Sequence, residues 1–305
     1  MNAGTSPSLH HDEERLLCPL GKTGLVVSRL GLGAGPLGDE SHSDDHAEEL
    51  LRVALDLGVR VIDTAPSYGR SEARIGRVFS RSPSLRDRAV IFTKGGYGVP
   101  GTPDWTRANL TRGIDRALAT MCLSHLDAFM LHSCPPRDDL IEPLVEAKRA
   151  GKIRAIGYSG DGDALLWAVR SGGFDVVECS VNLVDQEALA SALPGAIARG
   201  IGVIAKRTLM NAAFECEHPV YTPRLHAAYP EDRADPSRTS VPWVELASRF
   251  TAWAPEVHCA LVGTRSVAKL LEVLRYVRRG PLPAALAADA RSRFAAHGEN
   301  WHGVI

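Results

Sequence analysis

Leu30-Gly-Leu-Gly-Ala-Gly-Pro-Leu-Gly38 admits two readings. Glycines at 31, 33 and 35 after a short apolar run invite a dinucleotide-binding turn in an open, doubly wound sheet. That turn works only when its glycines open a helix directly, because the helix N-terminus receives the pyrophosphate. Here Pro36 follows and no helical periodicity begins. The run is therefore read as a strand, Leu30–Gly33, that leaves into a loop, with the open sheet as the rival fold.

Seven further apolar runs follow, at 60–63, 90–93, 127–131, 153–157, 176–179, 202–205 and 257–262. Each is continuous in apolar character, as strands covered on both faces are. Helical patterns lie between them. Leu50, Leu51, Ala54 and Leu57 share one face, Leu110, Ile114, Ala117, Leu118 and Met121 another, and Leu270, Val273, Leu274 and Val277 a third. Gly58, Gly151 and Gly200 each close a helical pattern just ahead of a strand. Eight strand–helix repeats predict an α/β fold, a closed (β/α)8 TIM barrel forming one domain over residues 15–305, C-terminal tail included. Ahead of the first repeat, 16–20 and 25–29 flank Gly21-Lys-Thr-Gly24 and read as a β-hairpin placed to plug the barrel floor. Residues 1–14 are polar and are expected to form a flexible tail. The connection from Met210 to Val241 is long enough to be functional or partly structured.

The 305 residues carry a net charge of −1 with Lys and Arg spread along the chain, so no global field selects nucleic acid or a membrane surface. No apolar run approaches the ~20 residues of a membrane span. The N-terminus lacks the apolar centre of a secretory signal. Six scattered cysteines, none in C-x-x-C, fit a reduced, cytoplasmic protein. His42-Ser-Asp-Asp-His46 lacks the glutamate that follows the first histidine of a zinc helix, and no metal is expected. No oligomeric interface is legible.

A (β/α)8 barrel keeps its active site at the C-terminal ends of its strands. The second repeat ends in Asp63-Thr-Ala-Pro-Ser-Tyr68, the third in Phe92-Thr-Lys94, the fourth in Leu131-His132. Taken singly, each polar residue is more simply a strand end, a turn residue or a solvated side chain. Together they suit reduction of a carbonyl, which leaves an alkoxide that must be protonated. Tyr68 is the proton donor, and its ordinary pKa of about 10 makes it a poor acid. Lys94 beside it is expected to stabilise the phenolate and lower that value. Asp63 holds Lys94 charged, and His132 hydrogen-bonds and orients the carbonyl.

These pieces resemble the aldo-keto reductases. The resemblance rests on Leu20-Gly-Lys-Thr-Gly-Leu-Val-Val-Ser-Arg-Leu-Gly-Leu-Gly33, Ile62-Asp-Thr-Ala-Pro-Ser-Tyr-Gly-Arg-Ser-Glu72, Phe92-Thr-Lys94, Leu131-His132, Ile156-Gly-Tyr-Ser159, Gly202-Val-Ile-Ala-Lys-Arg207 and Val262-Gly-Thr-Arg-Ser266, in that order. It implies a (β/α)8 barrel, NADPH bound without a Rossmann unit, and catalysis by Asp63, Tyr68, Lys94 and His132.

The resemblance also implies a cofactor path, with departures. Ser159 matches the serine that holds the nicotinamide carboxamide, while Gly160 stands where the family usually has Asn and Glu178 where it usually has Gln. A carboxylate still accepts from the amide NH2 but donates nothing. Lys206 replaces the aromatic residue that commonly stacks on the nicotinamide, and the planar guanidinium of Arg207 is the expected substitute. Arg265, Ser266 and Lys269 are expected at the adenosine end, where the family binds the 2′-phosphate with basic groups, and Glu272 near the adenine. Trp105 and Trp301 are candidate pocket walls, with packing the equal alternative. The expected activity is NADPH-dependent reduction of a small-molecule aldehyde or ketone. The alternatives are oxidation of a sugar or other alcohol, and a cofactor-binding regulatory subunit similar to the potassium-channel β subunits.

Overall fold

The computed structural model describes residues 15–231 and 241–304. The tail expected over residues 1–14 lies outside them, as does 232–240 of the long Met210 to Val241 connection. Eight parallel strands close on themselves: β3 (Leu30–Gly33), β4 (Val61–Asp63), β5 (Val90–Gly95), β6 (Leu126–His132), β7 (Ile153–Ser159), β8 (Val176–Ser180), β9 (Gly202–Lys206) and β10 (Cys259–Gly263). They pair in sequence order, and β10 returns to β3 to complete the barrel. The open-sheet rival is thereby excluded. Two short antiparallel strands, β1 (Leu17–Pro19) and β2 (Val26–Ser28), precede them as the expected hairpin.

Hairpin and barrel share one core. Leu20, Leu25 and Val27 pack with Val61, Val90 and Val176 from the beginnings of their strands, so the hairpin closes the N-terminal end. Its turn is held by the Lys22 amide, which donates to the Gly200 carbonyl at 2.8 Å. Leu30 and Leu32 face outward into the helix-side core, which leaves Gly31 and Gly33 inward. A Cβ on Gly31 would meet Cys259 Sγ and Leu261 Cδ2 at 2.8 Å. The glycines that mimic a dinucleotide turn therefore make room inside the barrel.

Strand side chains alternate between the two faces. Val61, Val90, Phe92, Ala128, Met130, Ala155, Val176 and Ile204 fill the interior. Two residues further along, the same inward rows reach Asp63, Lys94, His132, Glu178 and Lys206. Several strands outrun their apolar segments at this end. The ladder still pairs Lys94 with Met130, His132 with Ser159, Ser159 with Glu178 and Ser180 with Lys206. Hydropathy reads a strand only while it is apolar, whereas the ladder continues into the polar rim.

The helices begin on hydroxyl caps. Ser43 Oγ accepts the His46 amide at the start of Asp44–Asp56, and Thr106 Oγ1 accepts that of Asn109 at the start of Arg107–Met121. Ser266 caps Val267–Arg278 through the Lys269 amide at 3.3 Å.

Candidate active site

Lys94 is the centre of the rim. It is 1% exposed, and its Nζ lies 2.5 and 2.6 Å from the two oxygens of Asp63. A third contact runs to the Thr64 carbonyl at 3.2 Å. Glu178, also buried, brings Oε2 to 3.5 Å from the same ammonium. Two carboxylates thus share one cation. Burial, and then the Glu178 charge, push Asp63 well above the usual carboxylate range against the pull of Lys94. Burial opposes ionisation of Glu178 as well, but Lys94 and Lys206 outweigh it and leave its carboxyl below the usual range. Burial alone would discharge Lys94; Asp63, Glu178 and Tyr68 hold it firmly protonated.

Tyr68 reaches this group from the loop after β4. Lys94 Nζ stands 5.3 Å from the centre of its ring. The loop can fold this tightly because Gly38 has no side chain: a Cβ there would lie 1.6 Å from the Tyr68 carbonyl oxygen. Arg74, 2% exposed, pins the facing segment by donating to the carbonyls of Leu37, Asp39 and His42. The expected lowering of the phenol pKa is not met. Lys94 exerts the largest single pull, downward, but burial, Asp63 and Glu178 together outweigh it, and the phenol is pushed up to about 12. Glu178, legible in the sequence only as a carboxamide acceptor, places its charge beside the phenol as well.

His132 meets Tyr68 edge-on, with ring centres 6.2 Å apart. Burial, and then the Lys94 charge, hold the imidazole down to about 4. A histidine at its ordinary value of about 6.5 would gain charge just below neutrality. With the folded value depressed, the stability contributed by neutral His132 is present above about pH 6.5 and is lost as the pH falls toward 4. Accordingly, kcat/KM should show no His132 inflection between about pH 5 and 8. A step near pH 6.5 that disappears in His132→Gln would contradict this.

A cleft of about 470 Å³ leads away from Tyr68. Asp63, Glu178, Lys206 and Arg207 border its inner part, and Lys269 and Glu272 its far end on Val267–Arg278. Beside it, Ser159 Oγ donates to Glu178 Oε1 at 2.9 Å, while Glu178 Oε2 has the Lys94 ammonium at 3.5 Å and no closer donor. A carboxylate so placed at the cleft wall has acceptor capacity that fits an amide NH2. Gly160 cannot carry the usual Asn, because a Cβ there would come within 2.6 Å of Tyr158 Oη, which donates to the Cys134 carbonyl. Lys206 Nζ pairs with Asp161 at 3.0 Å, and Arg207 Nη1 donates to Ser180 Oγ at 3.0 Å. Sequence reasoning passed over Asp161, whose oxygens also accept from the Ser180 amide and hydroxyl. The distal basic groups have partners: Arg265 pairs with Asp39, and Lys269 with Glu215, both at 2.8 Å. Ser266 spends its hydroxyl on the helix cap.

Tyr97 was also missed, since nothing in its spacing marks it. Its hydroxyl meets His132 Nδ1 at 2.9 Å, and Trp105 packs on its ring. Trp301 lies instead against Phe294 and Arg224. The six cysteines are free, and among the described residues no cluster of three metal-binding side chains occurs.

Residues 29–291 match the profile of the Aldo/keto reductase family. The chain belongs to this family. It is an NAD(P)H-dependent oxidoreductase that interconverts carbonyls and alcohols. Among curated relatives, 6-dehydroglucose reductase of Novosphingobium aromaticivorans is 32% identical, over 46% of this chain and half of that protein's length. L-galactose dehydrogenase of Arabidopsis thaliana is 29% identical over 83% of this chain and 85% of its own. A crystal structure from Pseudomonas aeruginosa assigned to the aldo-keto reductases superposes with a TM-score of 0.68 at 29% identity, covering 87% of this chain and 95% of that one. No helix among the described residues of this aldo-keto reductase is long and apolar enough to cross a membrane.

Proposed function

We propose that this aldo-keto reductase reduces an aldehyde or ketone with NADPH, with Tyr68 as general acid. The observation that carries the reading is the Lys94 ammonium, clamped by Asp63 and facing the Tyr68 ring at the head of the cleft. Bound nicotinamide supplies the hydride. The chain's own residues manage the proton. Tyr68, protonated at neutral pH, gives its proton to the oxygen of the carbonyl as charge develops there. The phenolate left behind is stabilised by Lys94, and Asp63 keeps that cation in place. Neutral His132 donates a hydrogen bond to the same oxygen. Ser159 and Glu178 orient the carboxamide, Lys206 neutralises Asp161 beside it, and the flat guanidinium of Arg207 covers the nicotinamide face away from the substrate.

The preference for NADPH rests on Arg265 and Lys269 at the N-terminus of Val267–Arg278. A 2′-phosphate would draw them from Asp39 and Glu215, because a doubly charged anion with several acceptor oxygens outcompetes one exposed carboxylate. Ser266 contributes by holding the helix start, and Glu272 lies within reach of the adenine from the same helix. Replacing both Arg265 and Lys269 by Ala should weaken NADPH about ten- to a hundredfold and leave NADH nearly unchanged.

Oxidation of an alcohol is the second reading, and the similarity to L-galactose dehydrogenase favours it. Glu178 beside the nicotinamide would tighten binding of the positively charged, oxidised cofactor from which oxidation starts, while making it a weaker hydride acceptor. Turnover of a panel of aldehydes, ketones and sugars, in both directions with both cofactors, tests these readings. Faster reduction with NADPH is the expected result. Faster oxidation selects the second reading. Tight cofactor binding without turnover of any compound defeats both and favours a regulatory subunit.

A further inference from the structure

The loop after β5 is built around two aromatic rings. Gly96 has a φ of +122°, and a Cβ on it would strike Trp105 at 2.1 Å, so the indole crosses directly over the backbone there. The Trp105 amide donates to the Gly96 carbonyl at 2.5 Å, and the Gly98 amide to Asp104 Oδ1 at 2.9 Å, which fixes the two ends of the loop to each other. Trp105 in turn backs Tyr97, with ring centres 5.6 Å apart. The Tyr97 ring lies nearly parallel to that of His132, at 5.5 Å and 28°. Its hydroxyl is 2.9 Å from Nδ1, and its one proton has a second, more distant acceptor in Ser67 Oγ at 3.4 Å. Among the described residues no other hydrogen bond engages the imidazole.

A neutral imidazole has one donor nitrogen and one acceptor nitrogen, and the bond made by one decides the role of the other. If Nδ1 carried the proton, Nε2 would present a lone pair to the carbonyl oxygen, and two acceptors would oppose each other in the pocket. The phenol has one proton; given to the nearer acceptor, Nδ1 at 2.9 Å rather than Ser67 Oγ at 3.4 Å, it leaves the ring proton on Nε2, pointing at that oxygen. We infer that Tyr97 is a positioning residue that fixes His132 as its Nε2–H tautomer and, by stacking on it, restrains its rotation. This rests on the role proposed for His132 as the group that polarises the carbonyl. It adds what keeps that role available.

The test combines nitrogen NMR of histidine-labelled protein with kinetics on Tyr97→Phe, which keeps the stacked ring and removes the bond. His132 resonances are assigned by comparison with His132→Gln. In the wild type, Nδ1 should be unprotonated and Nε2 protonated at neutral pH. In Tyr97→Phe the two tautomers should mix, and kcat should fall up to about tenfold with little change in KM, the size expected for one orienting hydrogen bond. Tyr97→Leu, which also removes the stack, should lower kcat further. An Nδ1–H tautomer in the wild type overturns the inference. So does a Tyr97→Phe spectrum identical to the wild type, whatever its rate. A wild-type protein that turns over no carbonyl removes the role of His132, and the resonances then judge Tyr97 alone.

Discussion

Tyr68→Phe should lower single-turnover reduction by about 10²- to 10⁴-fold, the usual worth of a general acid. The substitution removes one hydroxyl and keeps the ring that faces Lys94 and the edge that meets His132. Cofactor affinity should therefore change less than about threefold, and the melting temperature little. The high phenol value adds a pH signature. Because the phenol titrates at about 12, the wild-type reduction rate should be flat through neutrality, whereas oxidation, which needs the phenolate as base, should climb with pH into the alkaline range. Tyr68→Phe should lose that climb. Stopped-flow measurement of the cofactor signal, with a separate binding titration, reads both quantities. A variant that retains more than about a tenth of the wild-type rate removes Tyr68 from the acid role.

Lys94→Met carries the second large effect, on stability as well as on rate. Lys94 is the cation that Asp63 and Glu178 share, and both carboxylates are buried. Removing one partner of a buried ion pair costs about 3–5 kcal/mol because the remaining charge has lost its compensation. In the variant the two carboxyls face each other without a cation, and each must take up protons to remain buried. Their folded values then rise above the unfolded ones. The stability this preserves is complete at low pH and is lost as the pH rises through the raised values. The gap in melting temperature between Lys94→Met and the wild type should therefore be widest at neutral and alkaline pH and narrow toward pH ~4. A gap independent of pH would mean that Asp63 and Glu178 are not the groups left unpaired. Rescue follows from the same logic: Lys94→Met with Glu178→Gln should regain part of the lost stability, since one of the two opposed charges is gone.

The proposed mechanism gives the cost of this cluster a purpose. A fully hydrophobic rim would be no less stable, since a buried ion pair seldom exceeds apolar packing in stabilising a fold. In the proposed mechanism Lys94 stabilises the Tyr68 phenolate, and Glu178 sets a second carboxylate against the same ammonium. Glu178 also opposes Lys94, because its charge raises the phenol that Lys94 lowers. The family's usual Gln at this position would leave only Asp63 to counter the ammonium. In the proposed site, the Glu at 178 therefore trades acid strength in Tyr68 for a negative charge that would tighten the oxidised cofactor.

Much of this protein is determined by local rules that a sequence displays directly. Continuous apolar runs alternating with three-and-four-residue periodicity specify strands buried on both faces and helices that cover them, and eight such repeats close a barrel. Pro36 and the lack of a helical pattern after it are enough to reject a dinucleotide turn. Asp63, Lys94 and His132 were legible because strand period two and the polarity of a barrel point strand-end residues to one rim, and Tyr68 because it follows the second strand in a loop on that rim. What only the tertiary structure decided depends on distances between residues far apart in the chain. The partners Asp161 for Lys206, Asp39 for Arg265 and Glu215 for Lys269 are of this kind. So is the sign of the Tyr68 shift, which is a contest among one cation, two carboxylates and burial at separations of a few ångströms. Tyr97 belongs here too: a tyrosine in a glycine-rich loop looks like any exposed aromatic until Gly96 lets Trp105 press it onto His132. Pattern repeats every two or four residues and survives in one dimension, whereas electrostatic balance falls off with distance in three and exists only once the barrel has closed.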